Sequence, residues 1–138
     1  MRFGIPEHLR SGWGLPISLT VLVVDDDPDM RLYLRSCLTG PGLTVDRVLE
    51  AGDGLEALRL AQSAGVDLVI SDIVVPGLDG RALCRAIREI PELDGVVILL
   101  ISGEDGAGAR DGTADGFLAK PFNSRQLVAA VAKLLAEN

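Results

Sequence analysis

The sequence predicts an α/β protein in which a doubly wound parallel sheet is covered by helices on both faces. Segments of strand length alternate along the chain with segments of helical periodicity, which is typical of this class. The strand segments are almost continuously apolar, as expected where both faces of a sheet are buried. Apolar residues make up 48% of the chain and aromatic residues only 4%, so we expect an aliphatic core.

A strand, a helix and a second strand open the predicted fold. Residues 20–24 are almost wholly apolar and predict the first strand. Asp27 and Pro28 predict the start of a helix, because aspartate caps helix N-termini and proline is tolerated at the first helical position. The Gly-Pro-Gly sequence at 40–42 should end this helix, and residues 43–49 are predicted to form the second strand.

The next pair of elements is a helix and a buried strand. Asp53 and Glu56 have the spacing of a capping box and predict a helix that runs to about Ala64. Residues 67–71 are almost wholly apolar and predict the third strand. The inner face of the helix is expected to consist of Leu55, Leu58 and either Ala61 or Gln62.

A third helix and a fourth strand follow in the same pattern. Asp79 predicts the cap of a helix that extends to about Ile90, where Pro91 breaks it. Residues 96–101 predict the fourth strand, the most apolar of all. The inward-facing positions of the helix are expected to be Leu83, Ala86, Ile87 and Ile90.

The last part of the chain predicts a short fifth strand at 116–119 and a final helix capped by Asn123 or Ser124. The preceding segment, 102–116, has five glycines and no Leu, Ile, Val, Met or aromatic residue. A helix there would have no apolar stripe to bury, so we expect it to be short or disordered. The final helix carries an apolar stripe of Leu127, Val128, Val131, Leu134 and Leu135.

Length and local composition predict one folded domain with an extension. A chain of 138 residues is long enough for one domain with a real core and too short for two. Residues 1–17 combine several helix breakers with a lack of periodicity, and we expect them to form an N-terminal extension. The folded domain is then expected to occupy residues 18–138.

Charge and composition argue against several classes of function. The net charge of −7 disfavours direct binding to nucleic acid or to an anionic membrane. No apolar stretch reaches the ~18 residues of a membrane-spanning helix, and His8, the only histidine, excludes a histidine-based zinc site or triad. Cys37 and Cys84 lack ligand spacing; we expect them buried on opposite sheet faces in a cytoplasmic protein, too far apart for a disulfide.

Polar side chains follow four of the predicted strands. Asp25 and Asp26 follow the first strand and Asp72 the third, while Ser102 and Lys120 follow the fourth and fifth. Because the carboxyl ends of parallel strands meet at one edge of the sheet, these side chains are expected to lie together. Three acids, a hydroxyl and an amine there predict a site for a hard cation and a phosphoryl group.

These residues stand in or beside four motifs, VLVVDDDP, VISDIVVPGLDG, ILLIS and GFLAKPF. Over about residues 19–137 the motifs resemble the response-regulator receiver domain of two-component signalling. The resemblance implies a flavodoxin-like fold: a five-stranded parallel sheet in the order 2-1-3-4-5 with five flanking helices. It also implies a histidine kinase or phosphotransfer protein as partner and a signalling module rather than an enzyme, beyond self-phosphotransfer and autodephosphorylation.

The resemblance implies roles for the residues that bind the metal and accept the phosphoryl group. Asp72 corresponds to the phosphoacceptor, whose carboxylate would attack a phosphohistidine and form an acyl phosphate. Asp26 would hold Mg²⁺ directly, Asp25 mainly through water, and the backbone carbonyl of Val74 would be a further ligand. Lys120, which precedes the family's cis-proline, would neutralise the remaining charge on the phosphoryl oxygens.

The resemblance also implies a conformational switch and a surface for output. Ser102 would donate a hydrogen bond to the new phosphoryl group, and Phe117 would turn inward behind it. Val74 and Glu104 occupy positions that tune the access of water in the family. The interval between Ser102 and Lys120 is roughly four residues shorter than usual, about one helical turn. This places the fourth helix in question, and with it the face on which a downstream effector would dock or a homodimer would form.

Two other functions are compatible with parts of the pattern. Asp25-Asp26-Asp27 after an apolar strand is also the arrangement of haloacid-dehalogenase-type phosphohydrolases, in which Asp25 would be the nucleophile. The short chain and the remaining motifs disfavour that alternative. A third possibility is an interaction module that is never phosphorylated, which the presence of both acids, Asp72 and Lys120 disfavours.

Overall fold

The computed structural model describes residues 19–40, 42–103 and 113–137 and contains one five-stranded sheet. The strands are β1 (Thr20–Val24), β2 (Arg47–Ala51), β3 (Leu68–Asp72), β4 (Val97–Ser102) and β5 (Gly116–Ala119). In the described ranges the helices are α1 (Pro28–Leu38), α2 (Gly54–Ser63), α3 (Gly80–Arg88) and α4 (Ser124–Glu137), with a 3₁₀ turn at Pro91–Leu93. All strand pairs are parallel and the order is β2-β1-β3-β4-β5, as predicted.

The helices cover both faces of the sheet, which confirms the doubly wound architecture. Side chains of α1 and α4 pack on one face, and those of α2 and α3 pack on the other. Every residue of β1 and β4 is buried, because these strands have helices above and below them. Each fully buried aliphatic side chain stabilises the fold by about 1.5–3 kcal/mol. Cys37 and Cys84 are both free and buried, and they lie in the two opposite hydrophobic clusters.

Side-chain caps begin α1, α2 and α3 at the aspartates predicted from sequence. Asp27 accepts a hydrogen bond from the Asp29 amide, and Asp53 and Asp79 accept corresponding bonds from the amides of their own helices. The Asp53 side chain accepts the Glu56 amide at 2.8 Å, and the Glu56 carboxylate reaches back to accept the amide of Gly52, the residue before the cap, at 3.1 Å. These caps satisfy amide donors that have no partner within the helix.

Replacing Asp53 by alanine should lower the free energy of unfolding by about 1 kcal/mol, because the Glu56 amide loses its acceptor. Urea unfolding followed by far-UV circular dichroism would measure the change. Asp53→Asn serves as the control, since asparagine is an equally good cap and should leave stability nearly unchanged. Equal losses in the two variants would contradict a capping role.

Strand boundaries differ from the sequence-based expectation at three strands. The second strand was expected at 43–49 and lies at Arg47–Ala51, while β3 and β4 each begin and end one residue later than expected. Pairing with β1 decides the position of β2, since Thr20 lies opposite Arg47 and Val24 opposite Ala51. Edge strands take their register from a neighbour that is distant in sequence, so local apolar patterning does not define their ends.

The expected inner face of α2 is wrong in part. Leu55 is 62% exposed and Gln62 is exposed, whereas Gly54, Ala57 and Ala61 are the buried positions. The helix lies so close to the loop before α3 that a side chain at Gly54 would overlap the Leu78 carbonyl. Leu58 is half-buried and packs against the cluster beneath α2 and α3, and Ala61 is buried, so these two expected positions are confirmed.

The buried face of α3 also differs in detail from the expectation. Leu83 and Ile87 are buried as expected, but Cys84 rather than Ala86 completes that face, and the helix ends at Arg88.

The Asn123 side chain accepts the Gln126 amide at 2.8 Å, so Asn123 is the cap of α4. The stripe of α4 is confirmed with four buried members, Leu127, Val131, Leu134 and Leu135.

Two expectations lie outside the described residues. A short or disordered helix was expected between the fourth and fifth strands, within 102–116, and residues 104–112 of that segment are not described. The N-terminal extension expected at 1–17 is not described either. Among the helices that are described, none combines the length and the apolar character needed to cross a bilayer.

Candidate functional site

The polar residues predicted to converge lie at one edge of the sheet. Parallel registers align the carboxyl ends of β1, β3, β4 and β5. Asp72 is the last residue of β3 and Ser102 the last residue of β4, while Asp25 directly follows β1 and Lys120 directly follows β5. The sequence separation of these residues is large, but the sheet order makes their strands neighbours.

Asp72 and Lys120 form an ion pair across this edge. Lys120 Nζ lies 2.5 Å from Asp72 Oδ2, and the exposed fractions of the side chains are 30% for the lysine and 12% for the aspartate. The Lys120 amide donates to the Ser102 carbonyl at 2.8 Å, which extends the β4–β5 pairing as far as the lysine. The Lys120–Pro121 peptide bond is cis, as the resemblance implies. Charge-assisted hydrogen bonds of this kind are about twice as strong as neutral ones.

The second oxygen of Asp72 is also oriented. Asp72 Oδ1 accepts the Val74 amide at 3.1 Å, so the carboxylate has one oxygen toward the lysine and one toward the following loop. The Val74 side chain is 79% exposed beside it. Ser102 is buried, with 6% of its surface exposed. The carboxylate is therefore held in one orientation while the loop beside it faces solvent.

The two acids after β1 have different environments. Asp25 is only 4% exposed and accepts the Asp27 amide at 2.9 Å, whereas Asp26 is exposed. Burial raises the pKa of the Asp25 carboxyl, and the negative charges of Asp72 and Asp26 act in the same direction. The Asp27 amide and the charge of Lys120 oppose this rise in pKa. Asp26 and Asp72 therefore lie close enough to Asp25 for their negative charges to disfavour its ionised form.

This donor set fits a magnesium ion. Carboxylate oxygens are the protein ligands that Mg²⁺ prefers, and a cation between these acids would relieve their repulsion. Within the described residues, no group of three or more His, Cys, Asp or Glu side chains is arranged to hold a metal ion by itself. Mg²⁺ keeps several of its waters and needs few side-chain ligands, so an open carboxylate pair suits it better than a closed cage.

Phe117 lies on the same face of the sheet as Ser102. It pairs in register with Leu100, two residues before the serine, and side chains two residues apart in a strand point to the same side. Its ring is half-buried and packs against the hydrophobic cluster beneath α2 and α3. The residues named for the switch are thus placed on one side of β4 and β5.

Sequence reasoning missed two kinds of residue around the site. Gly80 lies against the backbone of Asp72, since a Cβ added at Gly80 would be 2.5 Å from the Asp72 carbonyl oxygen. Arg31 donates from Nη1 to the Asp25 carbonyl at 2.7 Å. The glycine could have been suspected from its place directly after the cap Asp79, but no local pattern distinguishes Arg31 from a solvated helix residue.

Comparison with known proteins agrees with the fold. A family profile described as "Response regulator receiver domain" matches residues 21–132. The response regulator MprA of Mycobacterium ulcerans is 37% identical over 123 residues, which cover 86% of this chain and 51% of MprA. The sensor histidine kinase TmoS of Ectopseudomonas mendocina is 35% identical over 120 residues, 84% of this chain and 12% of TmoS.

Solved structures give the same result. The chemotaxis response regulator CheY4 of Vibrio cholerae superposes with a TM-score of 0.76 at 31% identity, covering 86% of this chain and 99% of CheY4. A response regulator structure from Chloroflexus aurantiacus has a TM-score of 0.76 at 33% identity, covering 86% and 98%. The chain thus spans about half the length of MprA, a small part of TmoS and nearly all of CheY4. The family profile, these relatives and the shared fold show that the chain belongs to the response regulator receiver domains of two-component signalling.

Proposed function

We propose that Asp72 accepts a phosphoryl group from the phosphohistidine of a histidine kinase or of a phosphotransfer protein. A carboxylate oxygen of Asp72 attacks phosphorus, the new O–P bond forms, and the P–N bond to the imidazole breaks as the histidine leaves with its electron pair. The observation that carries the proposal is the ion pair between Lys120 and Asp72 at the edge where the acids converge. In that position the lysine stays beside the oxygens of the transferred group.

Asp25 and Asp26 are proposed to hold the magnesium ion, together with Asp72 and the backbone carbonyl of Val74. The bound ion would supply positive charge against the equatorial phosphoryl oxygens, which carry most of the charge in the transition state. Asp26 is the exposed member and suits direct coordination. Asp25 is buried and hydrogen-bonded to the Asp27 amide, which suits contact through water.

The proposed signal leaves the site through Ser102 and Phe117. Phosphorylation adds about −1.5 to −2 charges and new acceptor oxygens at the sheet edge. The Ser102 hydroxyl would move to donate to one of these oxygens, and the Phe117 ring would follow into the space behind it. Their placement on one face of β4 and β5 supports this coupling. Phe117 has no hydroxyl, so the signal would be carried by packing.

Partners and location are proposed from family membership and charge. A cytoplasmic histidine kinase domain or phosphotransfer protein would be the donor, and an acidic domain of net charge −7 would pass the signal to a protein effector or a homodimer rather than to nucleic acid. The domain is proposed to span residues 18–138, with residues 1–17 as an extension. Apart from its own phosphotransfer and dephosphorylation, it is proposed to act as a signalling module.

The test is to locate the phosphoryl group after incubation with acetyl phosphate and Mg²⁺, by trapping the acyl phosphate and mapping peptides by mass spectrometry. Modification of Asp72 is the expected result. Modification of Asp25 would overturn the proposal in favour of a dehalogenase-type hydrolase, which neither the fold nor the relatives support. An unmodified protein would indicate an interaction module that is never phosphorylated.

Replacing Val74 by asparagine should speed dephosphorylation by about tenfold, or ~1.4 kcal/mol in the barrier. Val74 is exposed beside Asp72, and an apolar side chain there hinders the approach of water to the phosphoryl group. An amide would instead orient a water molecule. The decay of the acyl phosphate, measured after removal of acetyl phosphate, gives the rate. Val74→Ile is the control that keeps the site apolar, and equal rates in all three proteins would contradict this role. Glu104, the other position named for water access, lies outside the described residues.

A further inference from the structure

Two arginines of α1 bind one glutamate of β2. Arg31 Nε donates to Glu50 Oε1 and Arg35 Nε to Glu50 Oε2, each at 3.0 Å. Although partial burial acts to raise the pKa of Glu50, the hydrogen bonds and charges of Arg35 and Arg31 outweigh it and lower that pKa. Glu50 is therefore an ionised anchor that holds both guanidinium groups against the edge of the sheet.

The second bond of each arginine goes to a different part of the chain. Arg31 Nη1 donates to the backbone carbonyl of Asp25 at 2.7 Å, at the site. Arg35 Nη2 donates to the Val48 carbonyl at 2.9 Å, within β2. Arg31 and Arg35 carry the same charge and bind the same glutamate, but of these two only Arg31 reaches the proposed magnesium site.

The peptide group bonded by Arg31 is the one that joins Asp25 to Asp26. Its neighbour on the other side of Asp25 is also held by β2, since the Asp25 amide donates to the Ala51 carbonyl at 3.1 Å. With both bonds in place, the backbone that leaves β1 has little freedom to rotate. The direction in which the Asp26 side chain points from the backbone then depends on Arg31 and on Glu50, which holds Arg31 in place.

We propose that Arg31 is a positioning residue for the magnesium site: clamped by Glu50, it orients the Asp25–Asp26 peptide and thereby sets the affinity for Mg²⁺. This inference rests on the proposed function, because it takes Asp25 and Asp26 as the metal-binding pair. Residues that orient metal ligands from behind typically contribute 10–100-fold to affinity. Arg31 does so through a carbonyl, without touching the metal itself.

The test compares Arg31→Gln with Arg35→Gln by calorimetric titration of the metal-free protein with MgCl₂. Both variants remove one positive charge and one bond to Glu50. Charge alone would strengthen cation binding in both variants, since each becomes more negative. Positioning predicts the opposite sign for Arg31→Gln, a dissociation constant at least about tenfold weaker. Arg35→Gln should stay within about twofold of wild type.

Arg31→Lys separates geometry from charge and provides a second variant if the glutamine variant does not fold. An ammonium keeps the charge but cannot replace the planar fork that bonds Glu50 and the Asp25 carbonyl together, so binding should again be weakened several-fold. Wild-type affinity in Arg31→Lys, or equal affinities in Arg31→Gln and Arg35→Gln, would overturn the inference alone. Absence of Mg²⁺ binding by the wild-type protein would overturn the proposed function and the inference with it.

Discussion

Replacing Asp72 by asparagine should abolish phosphorylation by acetyl phosphate, with a loss of at least about 10³-fold in rate, or ~4 kcal/mol in the barrier. The amide has nearly the shape of the carboxylate, but it lacks the anionic oxygen that attacks phosphorus. The substitution also removes the negative partner of Lys120, which lies 2.5 Å away. Phosphorylated protein would be counted by intact-mass spectrometry under conditions that preserve acyl phosphates.

Asp46→Asn is the matched control for this experiment. Asp46 is exposed and directly precedes β2, at the opposite edge of the sheet from the site, so the same change in charge should leave phosphorylation intact. Near-normal phosphorylation of the Asp72→Asn protein would show that another residue is the nucleophile. If Asp25→Asn then abolished this phosphorylation and the label of the Asp72→Asn protein mapped to Asp25, the hydrolase alternative would gain the support it now lacks.

Replacing Gly54 by alanine should destabilise the domain by about 3 kcal/mol or more. An added Cβ at this position would overlap the backbone carbonyl oxygen of Leu78 and approach its carbonyl carbon to 2.6 Å. Because the obstacle is backbone, the start of α2 or the loop before α3 must shift. In a helix without such a contact, alanine is more favourable than glycine by about 1 kcal/mol. A loss of stability on replacing Gly54 by alanine would therefore show that α2 lies too close to Leu78 for a side chain. The midpoint of urea unfolding measures it.

Gly95→Ala is the control, because it makes the same substitution at a position where the added methyl group meets no other residue. No atom lies within 4 Å of an added Cβ at Gly95, so stability should stay within about 0.5 kcal/mol of wild type. Equal unfolding midpoints for the two variants would mean that α2 can move away from Leu78 without cost. In that case, a loss of stability in Asp53→Ala would report only the missing cap of α2 and not its close packing against Leu78.

Local sequence patterns were sufficient to predict the type and the order of the helices and strands that the structure describes. Asp27-Pro28 and the Asp53–Glu56 capping box predicted two helix starts correctly, because a cap is a contact between residues two or three apart. The apolar runs before Asp72 and Ser102 likewise identified buried strands. The motifs at their ends identified the family and named the residues that the sheet brings to one edge.

Contacts between distant segments decided what the local pattern left open. Pairing with β1 moved β2 to Arg47–Ala51, and the approach of α2 to Leu78 turned Leu55 outward. The ion pair of Lys120 with Asp72 and the bond from Arg31 to the Asp25 carbonyl exist only once the sheet has formed. Sequence alone determined which residues could do the chemistry, since periodicity, caps and motifs are properties of neighbouring residues. The tertiary structure decided their geometry and support, because register, close packing and charge pairing depend on residues that only folding makes adjacent.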